Sequence, residues 1–180
     1  MKAQKILLLF TALLCLNSCS SEDDNSSVNS SLVVGEWKMD KLVYSGSSKL
    51  TQDGTTYATE YSGEAVDVDF RVTFHDDNTF DAVGSYTVNL VTNFNGEVIE
   101  QSVPISSETS GTWELKGDKI ITSGMIQTPS QNSGQSNRSE GVIVELSDSK
   151  LIISVNQSDK LEIDGLTTEY TTEGVQEFSR

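Results

Sequence analysis

Strict alternation of apolar and polar side chains is the feature that most limits what this chain can fold into. Between positions 66 and 75 every second residue is apolar. The apolar set is Val66, Val68, Phe70, Val72 and Phe74, and the polar set is Asp67, Asp69, Arg71, Thr73 and His75. Successive side chains point to opposite faces of a β-strand, so this run predicts a strand with one buried and one solvated face. From Leu32 onward no segment keeps the 3.6-residue period of a helix, which indicates an all-β domain.

Turn residues divide the domain into further short strands. Asp76-Asp77-Asn78 joins the first run to a second alternating run from Phe80, and Asn95-Gly96 marks a hairpin because both residues tolerate positive φ. Hairpins are also predicted at Lys116–Lys119 and Ser147–Ser149. The hairpin at Ser147–Ser149 would pair two apolar sets, Val142, Val144 and Leu146 with Leu151, Ile153 and Val155. A final strand is predicted over Glu169–Arg180.

The number and order of these strands favour a closed barrel. About eight to ten strands follow one another with short turns, which predicts an antiparallel up-and-down meander. Closure removes exposed edges, and a barrel of about eight strands encloses either packed side chains or one small ligand. A two-sheet β-sandwich is the alternative. Residues 123–139, with Pro129 and many small polar residues, predict a long loop, either a lid over a binding mouth or a surface excursion.

The N-terminus has the order of features of a secretory leader. Lys2 and Lys5 precede an apolar run over residues 6–16, which is too short to span a bilayer. Leu16-Asn17-Ser18-Cys19 then resembles the lipobox of bacterial lipoproteins, in which the cysteine is acylated and becomes the first mature residue. The resemblance implies a signal peptide over 1–18 and a lipid on Cys19 that holds the protein to a membrane. An ordinary cleaved signal peptide is the alternative.

An acidic, serine-rich segment over residues 19–31 separates this leader from the β-domain, expected over 32–180. Ser21, Glu22, Asp23 and Asp24 resemble the acidic export signal of Bacteroidetes lipoproteins. That resemblance implies an outer-membrane lipoprotein exposed at the cell surface. A plain solvated tether on a periplasm-facing protein is the alternative.

Charge and residue usage argue against several functions. Twelve basic and 27 acidic residues give a net charge of -15, which disfavours nucleic acid as a partner. His75 is the only histidine, and its parity predicts a solvated side chain. The pairs Asp67 with Asp69 and Asp76 with Asp77 lack the ligand spacing of a calcium loop. We therefore expect no catalytic residue, no metal and no cofactor, and a protein that is not an enzyme.

Two tryptophan motifs carry a second resemblance. Gly35-x-Trp37 opens the first strand, Gly111-x-Trp113 lies late in the body, and the last strand ends in Arg180. With the meander between them, these features resemble the lipocalin-like lipoproteins of Bacteroidetes over about residues 32–180. The resemblance implies that Gly35, Trp37 and Arg180 close one end of a calycin-type barrel, with the arginine packed over the indole ring.

The same resemblance implies a small hydrophobic or amphipathic ligand inside the barrel. The residues expected to line such a cavity are aromatic: Phe70, Phe74, Phe80, Tyr86, Trp113 and Phe178. Packing of the same rings into a solid core is equally expected from their chemistry. A filled barrel would instead indicate a non-enzymatic structural or interaction subunit that meets a surface protein or a glycan.

Overall fold

The computed structural model describes residues 28–123, 138–163 and 166–180. This part of the chain forms one short helix and eight strands. Their bounds are α1 Ser30–Val33, β1 Gly35–Gln52, β2 Thr55–Phe74, β3 Thr79–Phe94, β4 Glu97–Lys116, β5 Lys119–Ser123, β6 Arg138–Leu146, β7 Lys150–Ile163 and β8 Leu166–Ser179. No helix in these ranges has the length and apolar character needed to cross a membrane.

The strands form a closed ring in sequence order. Each strand pairs antiparallel with the next, and β8 returns to pair with β1. The predicted all-β meander and its closure into a barrel are thus confirmed with eight strands, and the two-sheet sandwich is wrong. Most of the predicted loop at 123–139 lies outside the described residues, as do residues 1–27 with the leader and Cys19.

The predicted hairpin turns lie where the turn residues indicated. Asn95 and Gly96 have φ of 53° and 87°, the positive values that suit a two-residue hairpin turn. Asn78 closes the turn between β2 and β3 with a φ of 65°. A further turn joins β1 to β2 at Asp53-Gly54, where φ is 49° and 78°. The sequence analysis missed that turn, although Asp-Gly carries the same signal as Asn-Gly.

Two β-bulges change the predicted side-chain faces. In β2 the pairing with β3 shifts between Val66 and Asp69, and Asp67 takes a φ of 52°. The extra residue reverses the parity, so Ala65 rather than Val66 packs against the core. In β6 the pairing with β7 shifts between Ile143 and Glu145. Ile143 is buried and Val144 is 64% exposed, so the prediction that Val144 faces the core is wrong.

The barrel has two different ends, which we call the base and the mouth. The base is the end where β1 begins, β8 ends and β2 turns into β3; the mouth is the end where β1 turns into β2 and β3 into β4. The apolar core lies towards the base. Its buried members include Val33, Trp37, Met39, Val72, Phe74, Phe80, Trp113, Leu151 and Phe178.

Residues before Leu32, the expected first residue of the domain, also belong to the packed structure. Helix α1 begins at Ser30, and the side chain of Asn29 caps it by accepting a 3.1 Å hydrogen bond from the Ser31 amide. Val28 packs against the core, and Val33 is fully buried. The segment over 28–34 therefore covers the base of the barrel.

Candidate functional site

Trp37 and Arg180 meet at the base of the barrel. The guanidinium carbon of Arg180 lies 4.0 Å from the centroid of the Trp37 ring. The ring is fully buried, and its Nε1 donates a 2.8 Å hydrogen bond to the carbonyl oxygen of Val33. Cation–π contact and the indole hydrogen bond thus join the first strand, the last strand and α1.

Arg180 also satisfies backbone carbonyls at the end of α1. Its Nη2 donates to the carbonyl oxygen of Leu32 at 2.8 Å and to that of Val34 at 2.6 Å. A cation at this position suits the partial negative charge of a helix C-terminus. Gly35 has a φ of +130°, and a Cβ there would lie 3.1 Å from the same nitrogen. Residues with a side chain rarely adopt that φ, and a Cβ would also crowd the arginine, so this closure favours glycine.

The six aromatic residues expected to line a cavity are all buried. Their rings contact one another: Phe74 lies 5.5 Å from Trp113 and 6.2 Å from Phe80 between ring centroids, and Phe70 lies 5.7 Å from Tyr86. Phe178 is 2% exposed. These side chains fill the half of the barrel nearest the base, so this half is solid.

The mouth differs from the base, because large apolar side chains are exposed there on the inner face. Tyr57 of β2, Phe94 of β3 and Ile99 of β4 are each 41% exposed. Strand register places Phe94 and Ile99 on the same face as the buried Val88, with no shift along β3 and β4. We call these three residues the apolar rim. The sequence analysis missed them, although each occupies an alternate position of its strand.

Two buried polar atoms lie between the solid base and the apolar rim. Tyr44 is 5% exposed and Gln176 is 2% exposed, and the Tyr44 hydroxyl and the Gln176 Oε1 have no hydrogen-bond partner. A buried polar group without a partner costs about 1 to 3 kcal/mol of folding free energy. Such atoms are therefore candidates for contact with a ligand. Neither Tyr44 nor Gln176 belongs to a sequence motif, so only their burial and their strand neighbours in the structure identify them.

The environment of Tyr44 keeps its hydroxyl protonated. Burial raises the pKa of Tyr44 to about 12, and the neighbouring Tyr86 and Tyr61 add to the shift. The ring lies against Gly63 of β2 and at 6.4 Å from the Tyr61 ring between centroids. The Tyr61 hydroxyl, in contrast, donates to the carbonyl oxygen of Thr171 at 3.1 Å and contacts the hydroxyl of Thr172. Tyr44 thus presents a free donor, whereas Tyr61 is used by the fold.

Comparison with known proteins agrees with this architecture. A family model described as a lipocalin-like domain matches residues 33–153. This chain belongs to the lipocalin-like domain family. The match includes the Gly35-x-Trp37 motif and most of the barrel, and it ends within β7. No curated protein matches the chain.

The chain also has low similarity to two solved structures. Both are of Ail, the attachment invasion locus protein of Yersinia pestis, one of them in complex with the heparin analogue sucrose octasulfate. They are 8% and 7% identical to this chain and cover 81% of it and 99% of Ail, with TM-scores of 0.24 and 0.23. Similarity this low carries no argument about fold or function.

The polar residues weighed for catalysis or metal binding lie on the outside of the lipocalin-like barrel. His75 is 40% exposed at its side chain, and its Nε2 lies 2.8 Å from Asp81 Oδ2. The Thr79 hydroxyl donates to Asp77 and lowers the pKa of that carboxyl, as expected for a turn aspartate. Within the described ranges no group of three His, Cys, Asp or Glu side chains could hold a metal ion.

A hollow of about 570 Å³ lies on the barrel wall across β1, β2, β3, β7 and β8, mostly on the outer face. Hydroxyl, amide and carboxylate groups line it, including those of Ser45, Ser47, Glu60, Asn93, Asn156 and Glu173. Ser45 and Glu173 lie 3.3 Å apart between hydroxyl and carboxylate oxygens. Because polar side chains contribute much of its lining, this outer hollow suits a different kind of partner from the apolar rim.

Proposed function

We propose that this protein is a non-enzymatic, lipid-anchored lipoprotein of the cell envelope whose lipocalin-like barrel binds a small hydrophobic or amphipathic molecule. The molecule enters at the apolar rim, and the solid base blocks the other end. One observation carries the proposal: the inner face changes from a packed aromatic core to exposed Tyr57, Phe94 and Ile99 within the same barrel. Exposed apolar side chains that face inward stabilise a bound apolar molecule by removing its surface from water.

The proposed anchor rests on the N-terminal sequence. The leader, the small residue Ser18 and Cys19 follow the order that acylation and cleavage require. Several acyl chains on one cysteine would make the anchor effectively permanent, since each buried CH₂ contributes about 0.8 kcal/mol. With the acidic Ser21–Asp24 segment, this arrangement supports a Bacteroidetes outer-membrane lipoprotein at the cell surface, with a periplasm-facing lipoprotein as the alternative.

Binding of the neutral fluorescent probe N-phenyl-1-naphthylamine tests the inner site. The probe is expected to gain fluorescence with the wild type, and Ile99→Asn is expected to weaken its binding about tenfold because the amide replaces apolar contact area. Val98→Asn is the matched control, since Val98 is the adjacent residue, is 58% exposed and pairs with Asn93 on the outer face. Equal effects of the two substitutions, or no binding by the wild type, would contradict the proposal.

The outer hollow favours a second candidate function, contact with a surface protein or a glycan. Its carboxylates, amides and hydroxyls supply both acceptors and donors, as a hydroxyl-rich partner requires. A partner bound there would be lost from a double variant with Glu60→Ala and Glu173→Ala and kept by Ile99→Asn. The opposite result would assign the partner to the mouth.

A further inference from the structure

We propose that the buried end of the ligand is an uncharged hydrogen-bonding group, such as a hydroxyl or an amide, that accepts a hydrogen bond from the Tyr44 hydroxyl. This inference rests on the proposed function, because it assumes that a ligand enters the barrel. It adds the chemical class of that ligand: a neutral amphipath rather than a fatty acid or an amine.

Tyr44 and Gln176 both carry an unpartnered polar atom, and the strand register places them on adjacent strands of the barrel wall. The Tyr44 ring extends over Gly63 of β2, on the side of β1 away from β8. Tyr44 of β1 is opposite Gly174 of β8, and Gln176 of β8 is opposite Leu42 of β1. They are therefore diagonal neighbours on adjacent strands, with side chains on the same face. The burial of Leu42, Tyr44 and Gln176 shows that this face is the inner one.

The two free atoms have complementary chemistry. The Tyr44 hydroxyl can donate a hydrogen bond, and the Gln176 Oε1 can only accept one. An alcohol oxygen both accepts and donates, and an amide does so with its oxygen and its nitrogen. Because Tyr44 stays protonated far above neutral pH, its donor is present under all ordinary conditions.

The charges of the inner face disfavour an ionised group at this depth. Among the described residues, the cation that shares the inner parity is Arg180, which is held at the base by Trp37 and the α1 carbonyls. The inner face carries Asp159, which accepts a 3.2 Å hydrogen bond from the Tyr170 hydroxyl, and Glu97, which pairs with Phe94 at the rim. A carboxylate beside Tyr44 would therefore be buried without a counter-ion.

An ammonium group is disfavoured at Tyr44 for a related reason. The acidic groups lie towards the mouth, because Asp159 pairs with Tyr170 and Glu97 pairs with Phe94, whereas Tyr44 pairs with Gly174. A positive charge beside Tyr44 would thus lack a carboxylate on the neighbouring positions of β8. A neutral group needs no counter-ion, and it can accept the hydrogen bond that the Tyr44 hydroxyl has free.

Three probes with the same ten-carbon chain test the inference: 1-decanol, decanoate and decylammonium. Binding is measured by isothermal titration calorimetry at neutral pH on the full chain carrying Cys19→Ala, since a detergent for the lipidated form would compete with the probes. We expect 1-decanol to bind about tenfold or more tightly than either ion.

Tyr44→Phe should reduce the affinity for 1-decanol about tenfold. It should leave the thermal midpoint of the free protein unchanged or raised, because the lost hydroxyl has no partner.

Tyr61→Phe is the matched control. Its hydroxyl contacts Thr171 and Thr172, so its loss should lower the thermal midpoint and leave the preference for the alcohol in place. Equal affinity for the three probes, or unchanged affinity in Tyr44→Phe, would overturn the neutral-group inference and leave the proposed binding function intact. Failure of all three probes to bind would overturn both.

Discussion

At the scale of the single residue, Arg180 links the C-terminal end of the domain to its N-terminal end. The pairing of β8 with β1 makes the same link between strands. The guanidinium group stacks on Trp37 and donates to the carbonyl oxygens of Leu32 and Val34. These carbonyls belong to the end of α1, where intrahelical partners are missing. One side chain therefore closes the base by two independent kinds of interaction.

Removing that side chain should destabilise the barrel. We expect Arg180→Ala to lower the free energy of unfolding by about 1 to 3 kcal/mol, since it deletes the cation–π contact and the charged hydrogen bonds. Thermal unfolding gives the stability, and the tryptophan emission spectrum should shift because Trp37 loses its cover.

Arg138→Ala is the control for this substitution. Arg138 pairs with Glu114 on an exposed part of the surface, where such a pair contributes about 0 to 1 kcal/mol. Arg180→Lys should recover part of the stability, because a lysine keeps the charge and loses the planar stacking surface. Equal midpoints for Arg180→Ala and Arg138→Ala would show that Arg180 is only a solvated residue.

At the scale of the strand, the bulge in β2 sets which residues reach the interior. The extra residue at Asp67 shifts the pairing between β2 and β3 and turns Ala65, Gly63 and Tyr61 inward. Gly84 of β3 lies opposite Phe70, next to this bulge, with a φ of +134°. A Cβ at Gly84 would lie 2.0 Å from the carbonyl oxygen of Asp69. The bulge in β2 therefore requires a glycine at position 84 of β3.

The close contact between Gly84 and the bulge predicts that even a small side chain at position 84 destabilises the protein. We expect Gly84→Ala to lower the free energy of unfolding by about 2 to 3 kcal/mol, because the new methyl group collides with backbone rather than with a flexible side chain. The thermal midpoint should fall by about 5 to 10 °C. Ser85→Ala is the neighbouring control at an exposed position, and a comparable loss in that variant would contradict the argument.

At the scale of the whole molecule, we expect the proposed anchor and the barrel to act as separate parts with separate tasks. Val28, the first residue that the structure describes, packs against the core, and the residues that would hold the lipid precede it in the sequence. Loss of the lipid should therefore change where the protein is located and leave the barrel folded.

The cysteine substitutions of the leader test this separation. Cys19→Ala should release the protein from membranes or leave it unprocessed, while purified material keeps the far-ultraviolet circular dichroism of a β-protein. Cys15→Ala is the control, because Cys15 lies in the apolar run and would leave with the signal peptide. An unmodified Cys19 in the intact mass of the membrane-extracted wild type would refute the anchor.

The sequence by itself determined most of the turns and, away from the bulges in β2 and β6, the strand faces. Alternation is a property of each strand, since successive side chains point to opposite sides whatever the strand pairs with. The faces of Phe70, Val72 and Phe74, and the turns at Asp76–Asn78 and Asn95-Gly96, could therefore be read from short segments. The barrel followed from the number of strands and their order, but its strand count could be given only as a range.

Only the tertiary structure decided how deep each inward residue lies and which residues it meets. Parity gives a face, and depth depends on pairing with strands that are distant in sequence. Thus Phe80 and Phe94 share one face of β3, although the first is in the solid base and the second is in the rim. Tyr44 and Gln176 lie on neighbouring strands because β1 pairs with β8, which closes the barrel and joins segments from the two ends of the domain.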